Sequence, residues 1–361
     1  MRPIYVSATK QDTGKTTLTL GLVQAFLDLG HDVGYMKPVG QRYVEFQGQN
    51  VDEDAVLARQ VFGMTDPPGD MSTIAIERGF TANYIFHRDP APLEARVMEA
   101  FGRMNERHDL LVIEGTGHAG VGSCFDLSNA RVAQMFGAKV LILTKGGIGR
   151  AIYEIALSLH LFRKHGVEVL GAILNKTLPD KLDKVSRAVH QGLEHLGTRL
   201  LGVLPYEPGL LYPRVEQVAR EVSGRVLSGA DALTNRVEHI VVAAMAPDHV
   251  SQYLSGETLV ITPGDRLDDT LVSVLMSARS PLSGLVLSGG FEPKSSLLAL
   301  LGQAGIPVIL CDEDTYSVAK RLNEMHFKIR AQDTDKVDMA KRLVHTSIDA
   351  AALARELADA G

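Results

Sequence analysis

The sequence predicts a doubly wound, mostly parallel α/β sheet domain followed by a smaller α/β domain. Three observations carry that expectation. Continuous apolar runs such as Leu110–Glu114 (LLVIE) and Val140–Thr144 (VLILT) fit strands buried on both faces. Longer amphipathic runs alternate with them, which implies helical crossovers between parallel strands. The chain, at 361 residues, exceeds the usual size of one domain.

In order, strands are expected at Pro3–Ser7, Val33–Lys37, Leu110–Glu114, Val140–Thr144, Leu170–Asn175 and Leu200–Pro205. Helices are expected between them at Lys15–Leu29, Leu93–Arg107, Arg150–Lys164 and Asp180–Leu196. Residues 1–210 therefore read as the first domain and 211–228 as a linker, marked by the proline- and glycine-containing run EPGLLYP, a short helix-like stretch and a Gly/Ser turn. Residues 229–361 read as the second domain. Its strands fall at His239–Ala243, Thr258–Thr262, Gly284–Ser288 and Pro307–Cys311, and its helices near Val250–Leu254, Asp269–Ala278, Lys294–Ala304 and Tyr316–Met325. Two closing helices, near Asp333–His345 and Ile348–Asp359, are placed with it.

Composition narrows the function classes. Hydrophobic residues make up 45% and charged residues 22%, as in a folded globular chain. A net charge of −6 without a basic stripe argues against a nucleic-acid surface. Cys124 and Cys311 are too few and too far apart for a disulfide framework or a zinc site, which fits a reducing cytoplasm. The N-terminus runs directly into a strand without the pattern of a signal peptide, and no apolar run is long enough to span a bilayer.

The segment Ser7–Thr17, SATKQDTGKTT, carries the chemistry. A phosphate loop reads G-x-x-x-x-G-K-[ST]: backbone N–H groups and a helix N-terminus surround the phosphates, a lysine neutralises charge, and a hydroxyl binds Mg²⁺. Gly14-Lys15-Thr16 supply the second half, while Thr9 stands at the first glycine position. The strand before it and the amphipathic helix after it supply the required context. Thr13, Gly14, Lys15, Thr16 and Thr17 are the candidate phosphate-binding residues. Magnesium needs oxygen ligands, and Thr16 with Glu114, at the carboxyl end of a strand, is the candidate pair. Asp52 and Asp54 either join that shell or cap a helix.

Taken together, the phosphate loop, Lys37-Pro38-Val39, Asp54-Ala55, Val112–Gly117, Asn175 and Leu201–Pro205 resemble dethiobiotin synthetase in order and spacing, over about residues 1–210. Cobyrinic acid a,c-diamide synthase shares that core. The resemblance implies Mg-ATP as the nucleotide, with Lys15 and Thr16 on the phosphates and metal. Asp54 and Glu114 would complete the metal shell, and Lys37 would sit beside the phosphoryl acceptor. Asn175 and the turn ending at Pro205 would hold the base; an Asn side chain pairs well with adenine. Residues of about 222–335 resemble a DRTGG domain, with Asp265-Arg266 and Gly289-Gly290 after successive strands. The two domains in succession are similar to the N-terminal, non-catalytic half of long bacterial phosphotransacetylases. The acetyltransferase half and a glutaminase are both absent from this sequence, and Cys311 lacks the flanking glycines of a glutaminase nucleophile.

Lys10 departs from the synthetase pattern. Lysine at that spacing resembles the deviant loop of the ParA and MinD ATPases, whose extra lysine reaches the nucleotide of a partner subunit, and so implies a homodimer; a plain exposed lysine is the alternative. The loop GTGHAGVGS after Glu114, with His118 and Ser123, is either a segment ordered by the γ-phosphate or a tight turn. Two functions follow: a dimeric regulatory ATPase whose DRTGG domain handles a metabolic effector, favoured by Lys10 and the appended domain, or an ATP-dependent ligase phosphorylating a carboxylate or carbamate acceptor, favoured by Lys37. Lys10, Lys15 and Lys37 are the candidate catalytic groups. The effector and the acceptor are not legible in the sequence.

Overall fold

The computed structural model describes residues 1–266, 268, 272, 282–303, 305–325 and 327–358, without the side chain of residue 247. The expected helix Asp269–Ala278 lies, apart from residue 272, outside the described residues. Two compact units are present, one formed by residues 1–207 and 329–361 and the other by residues 208–328.

The first unit is built on six parallel strands: β1 (Ile4–Ala8), β2 (Val33–Met36), β3 (Leu110–Glu114), β4 (Lys139–Lys145), β5 (Val169–Thr177) and β6 (Leu200–Pro205). Their order across the sheet is β6-β5-β4-β1-β3-β2. The winding therefore reverses around β1, and the crevice at its carboxyl end is where ligands of such sheets bind. The register sets Val6 beside Glu114 and Ala8 beside Leu143, so β1, β3 and β4 end together at that crevice. Every residue of β1 and β3 is buried, which is why these strands read as unbroken apolar runs.

Helix α1 (Lys15–Asp28) follows β1. Its residues Leu18, Leu20, Leu22, Val23 and Phe26 are buried on nearly all sides, more than one sheet face can cover. The remaining cover comes from the chain's other end. Helix α9 (Thr334–Ser347) packs on α1 so closely that a Cβ on Gly21 would collide with Val344. Helix α10 (Ala350–Ala358) is tied down as well, through Arg2 N–H to the Leu357 carbonyl at 2.9 Å and Lys139 Nζ to the Glu356 carbonyl at 2.6 Å. This corrects the expected partition: the two closing helices belong with the phosphate-loop unit, not with residues 229–361.

Between β2 and the expected helix at Leu93–Arg107 the sequence reading left a gap that the structure fills. A hairpin pairs Tyr43–Phe46 with Gln49–Asp52 through a two-residue turn, and α2 (Glu53–Phe62) starts immediately after it. A longer helix, α3 (Pro90–Arg107), leads into β3. His108 at its end bridges two carboxylates, Nδ1 to Asp32 at 2.8 Å and Nε2 to both oxygens of Asp66 at 3.1 Å. Helix α4 (Gly149–Lys164) follows β4, and α5 (Leu182–Glu194) lies between β5 and β6.

Among the described residues, the second unit holds five strands, β7 (Arg225–Ser228), β8 (His239–Val242), β9 (Thr258–Pro263), β10 (Gly284–Ser288) and β11 (Val308–Leu310), in the order β7-β11-β10-β9-β8, with only β7 antiparallel. Helices α6 (Val215–Glu221) and α8 (Thr315–Glu324) bury one face through Val218, Val318 and Leu322. The other face is covered by Val250, Leu254 and, from α7 (Ser295–Gln303), Leu297 and Leu301. The expected linker 211–228 is thus part of this unit, supplying α6 and β7. Asp265-Arg266 and Gly289-Gly290 follow β9 and β10 at the carboxyl edge. Cys311 is buried just past β11, where burial first and then Glu313 and Asp312 push its thiol up to about 11, so it is an inert strand-end residue.

Two outcomes are expected. Gly21→Ala gains about 1 kcal/mol of helix propensity but overpacks Val344, at a cost of about 1–3 kcal/mol. Thermal unfolding should show a net loss, recovered when Val344→Ala is added. Burial opposes the charged His108 imidazole, but its hydrogen bonds to Asp32 and Asp66 prevail and raise its pKa above 6.5. The bridge therefore contributes fully below pH 6.5 and is lost as pH rises through the folded value. Urea unfolding of the wild type should show stability declining over that window, and His108→Gln should flatten the decline.

Candidate functional site

The Ser7–Thr17 segment forms the connection from β1 to α1 and is anchored at both ends. Thr9 N–H donates to the Leu143 carbonyl at 2.8 Å, and the Thr13 hydroxyl donates to the Lys10 carbonyl at 2.8 Å. Gly14 sits at φ +99°, a left-handed conformation, directly before α1. A Cβ there would also collide with the Asn175 amide, so glycine is required twice over. The backbone N–H groups at the start of α1 have no partners within the helix, which is the arrangement that suits an anion.

Asn175, at the end of β5, braces this loop. Its Nδ2 donates to the Thr13 carbonyl at 2.8 Å, and its Oδ1 accepts from Lys176 N–H at 2.8 Å. Lys176, which sequence reasoning did not single out, donates from Nζ to the Asp12 carbonyl at 3.0 Å. The Nδ2 of Asn175 thus serves the loop and its Oδ1 the neighbouring strand backbone. Pro205 ends β6 beside Thr177, at the same sheet edge.

Beneath the loop, four predicted residues converge. Thr16 Oγ1 donates to Glu114 Oε1 at 3.2 Å, while Glu114 Oε2 accepts from Thr19 at 2.8 Å and Tyr35 at 3.0 Å. Lys37 Nζ donates to Asp54, lies 2.9 Å from Asp52 Oδ1 and 3.8 Å from Glu114 Oε1. All four charged groups are buried. Burial disfavours the Lys37 ammonium, but Asp54, Glu114 and Asp52 overcome this and raise its pKa. Burial, with Asp54 adding to it, raises the Glu114 carboxyl against the opposing pull of Lys37 and Lys15. Asp52 also accepts from Asp54 N–H at 2.9 Å as the N-cap of α2, the capping alternative that the sequence offered for this pair.

The donor set fits a hard divalent cation: one hydroxyl and two carboxylates beside a phosphate loop, with the remaining positions filled by phosphate and water oxygens. Among the described residues, no three histidine, cysteine or carboxylate side chains form a ready-made ion cage.

Lys10 is on the opposite side of the loop. Its Nζ is 2.7 Å from Glu154 Oε1 on α4, and the same carboxylate accepts from Arg150 at 2.8 Å and Thr9 at 2.8 Å. Burial pushes the Glu154 carboxyl up, but these three donors together hold it down at about 2. The Lys10–Glu154 link was invisible in the sequence because the partners are separated by more than a hundred residues. The loop after Glu114 is a series of tight turns clamped by Asn129, which accepts from Thr116 N–H at 3.1 Å and donates to the His118 carbonyl at 2.6 Å. His118 is exposed and its Nδ1 accepts from Gly120 N–H at 3.2 Å, a turn contact.

With the loop, the buried charged cluster and the sheet edge in place, the family follows from the sequence match. An AAA domain model covers residues 2–214, more than half of the chain. The chain belongs to this AAA domain family. Residues 217–325 of this AAA domain protein match a DRTGG domain, as the sequence resemblance implied. A curated relative, the phosphate acetyltransferase of Nitratidesulfovibrio vulgaris, is 28% identical over 367 residues, covering 98% of this chain and 51% of the relative. The Pseudomonas putida phosphate acetyltransferase is also 28% identical, over 97% and 51%. The AAA domain protein therefore spans about half the length of the curated relatives it matches. Among solved structures, the MinC:MinD cell division protein complex of Aquifex aeolicus is similar at 16% identity and a TM-score of 0.39, over 58% of this chain and 84% of that one.

The two anchors of the loop should differ in weight. Asn175→Ala leaves the Thr13 carbonyl unpaired in a buried setting, at about 1–3 kcal/mol. Lys10→Ala removes one half-exposed ion-pair partner, at less than about 1 kcal/mol. Nucleotide-free thermal unfolding of both variants checks this, and equal losses would contradict the assigned brace.

Proposed function

We propose that the AAA domain unit binds ATP with magnesium at the Ser7–Thr17 loop and acts as a regulatory ATPase, with the DRTGG domain taking a metabolic effector. The observation that carries this reading is the convergence of Thr16, Asp54, Glu114 and Lys37 directly beneath the start of α1. Lys15 and the N–H groups of the loop would hold the phosphates, and Thr16, Asp54 and Glu114 the metal. When bound, magnesium supplies charge neutralisation across the terminal phosphates.

Regulation is favoured over ligation by the state of Lys37. A ligase needs a cation presented to an anionic acceptor beside the γ-phosphate, whereas Lys37 is buried and already neutralised by carboxylates of its own chain. The half-length match to phosphate acetyltransferases supports a regulatory place beside acetyl transfer. A homodimeric arrangement is part of the proposal. It is supported by the exposed Tyr153 and Leu157, one turn apart on α4, the helix that also carries Glu154.

The test is ATP hydrolysis together with oligomeric mass, for wild type, Lys10→Ala and Lys15→Ala. Lys15→Ala should abolish nucleotide binding. Lys10→Ala should lose both hydrolysis and ATP-dependent dimerisation; a wild type that stays monomeric with ATP, or a Lys10→Ala variant with unchanged turnover and assembly, contradicts the regulatory reading. ADP release stimulated by a carboxylate or carbamate would instead favour the ligase. A pH series adds a further outcome. Because Glu114 is raised above 4.5 and must be ionised to hold a cation, Mg-ATP affinity should fall on acidification at higher pH than for an ordinary carboxylate. Calorimetric titration between pH 7 and pH 5 reads this, and Glu114→Gln should weaken binding at both ends.

A further inference from the structure

Asp54 and Glu114 are the carboxylates that the proposed metal needs, yet both already face a cation. Lys37 Nζ bonds to Asp54 and stands 3.8 Å from Glu114 Oε1, in surroundings where like charges repel strongly because water is excluded. A divalent ion arriving alone would enter beside that ammonium with no added negative charge to offset it. A triphosphate supplies that charge. The second observation concerns Asp52, which is only 1% exposed. Its Oδ1 lies 2.9 Å from Lys37 Nζ, while its Oδ2 has no hydrogen-bond partner. A buried carboxylate oxygen with unused acceptor capacity, on a residue already touching the ammonium, is a place for that ammonium to go.

We propose that Lys37 is an internal counter-ion that holds Asp54 and Glu114 until a nucleotide brings its metal, and that Asp52 is the positioning residue that then takes Lys37 over. The inference rests on the reading of this site as one for Mg-ATP. Its consequence is that the metal binds only together with nucleotide. The lysine moves between carboxylates of its own chain, without bond making or proton transfer.

The test is Mn²⁺ binding to the full chain, followed by the electron paramagnetic resonance of the free ion, with and without a non-hydrolysable ATP analogue. The wild type should bind Mn²⁺ with the analogue and at least tenfold more weakly without it. Lys37→Met should strengthen nucleotide-free binding at least tenfold. Asp52→Asn, which keeps the helix cap, should weaken Mn²⁺ binding at least tenfold in the presence of the analogue and leave nucleotide-free binding weak. Tight nucleotide-free binding by the wild type, or Asp52→Asn binding like the wild type with the analogue present, overturns the proposal; both readings stand even where Lys37→Met fails to fold. Failure of the wild type to bind the analogue at all is a different result, and it overturns the Mg-ATP reading instead.

Discussion

The constraint on which this molecule turns is the burial of three carboxylates under a loop built to receive more negative charge. Asp52, Asp54 and Glu114 are each almost fully enclosed, and a buried charge is tolerated only when it is paired and hydrogen-bonded. Lys37 supplies the pairing; Thr16, Thr19, Tyr35 and the Asp54 N–H supply the bonds. The compensation is partial, since burial still raises the Glu114 carboxyl. The open N-terminus of α1, an arrangement that suits an anion, lies directly above these groups. Much of the first unit serves this arrangement. The hairpin before α2 delivers Asp52, the first turn of α2 delivers Asp54, and β2 and β3 deliver Tyr35 and Glu114.

The loop itself is stiffened from outside its own segment. Asn175 and Lys176 hold the carbonyls of Thr13 and Asp12, while Glu154 gathers Thr9 and Lys10 on the opposite flank. A loop pinned on both flanks loses little conformational freedom when a ligand arrives, and such preorganisation strengthens binding without any added contact. The covering of α1 by α9 works to the same end. It makes the helix that would face the phosphates a largely enclosed one and couples its position to residues over three hundred places away.

How far the sequence could be read follows from where each signal lives. The six central strands were legible because burial on both faces writes continuous apolar runs into the chain. The hairpin at Tyr43–Asp52 was missed because Tyr43, Val44 and Glu45 are exposed, so no apolar alternation marks them. The closing helices were recognised as helices but given to the wrong unit: an amphipathic face says that something covers it and is silent about what. Asp52 looked like a cap and is one, but its second role depends on a lysine that only folding brings close.

The sequence by itself determined the chemistry available at the loop, since Gly14, Lys15, Thr16 and Glu114 are placed by local rules: a left-handed turn, a helix N-terminus and a strand end. Tertiary structure alone decided how those groups are loaded. Which carboxylate neutralises Lys37, which side chain holds Lys10 and which helix seals α1 all depend on contacts between distant segments. Charge and close packing act through space, and no local pattern in the chain records them.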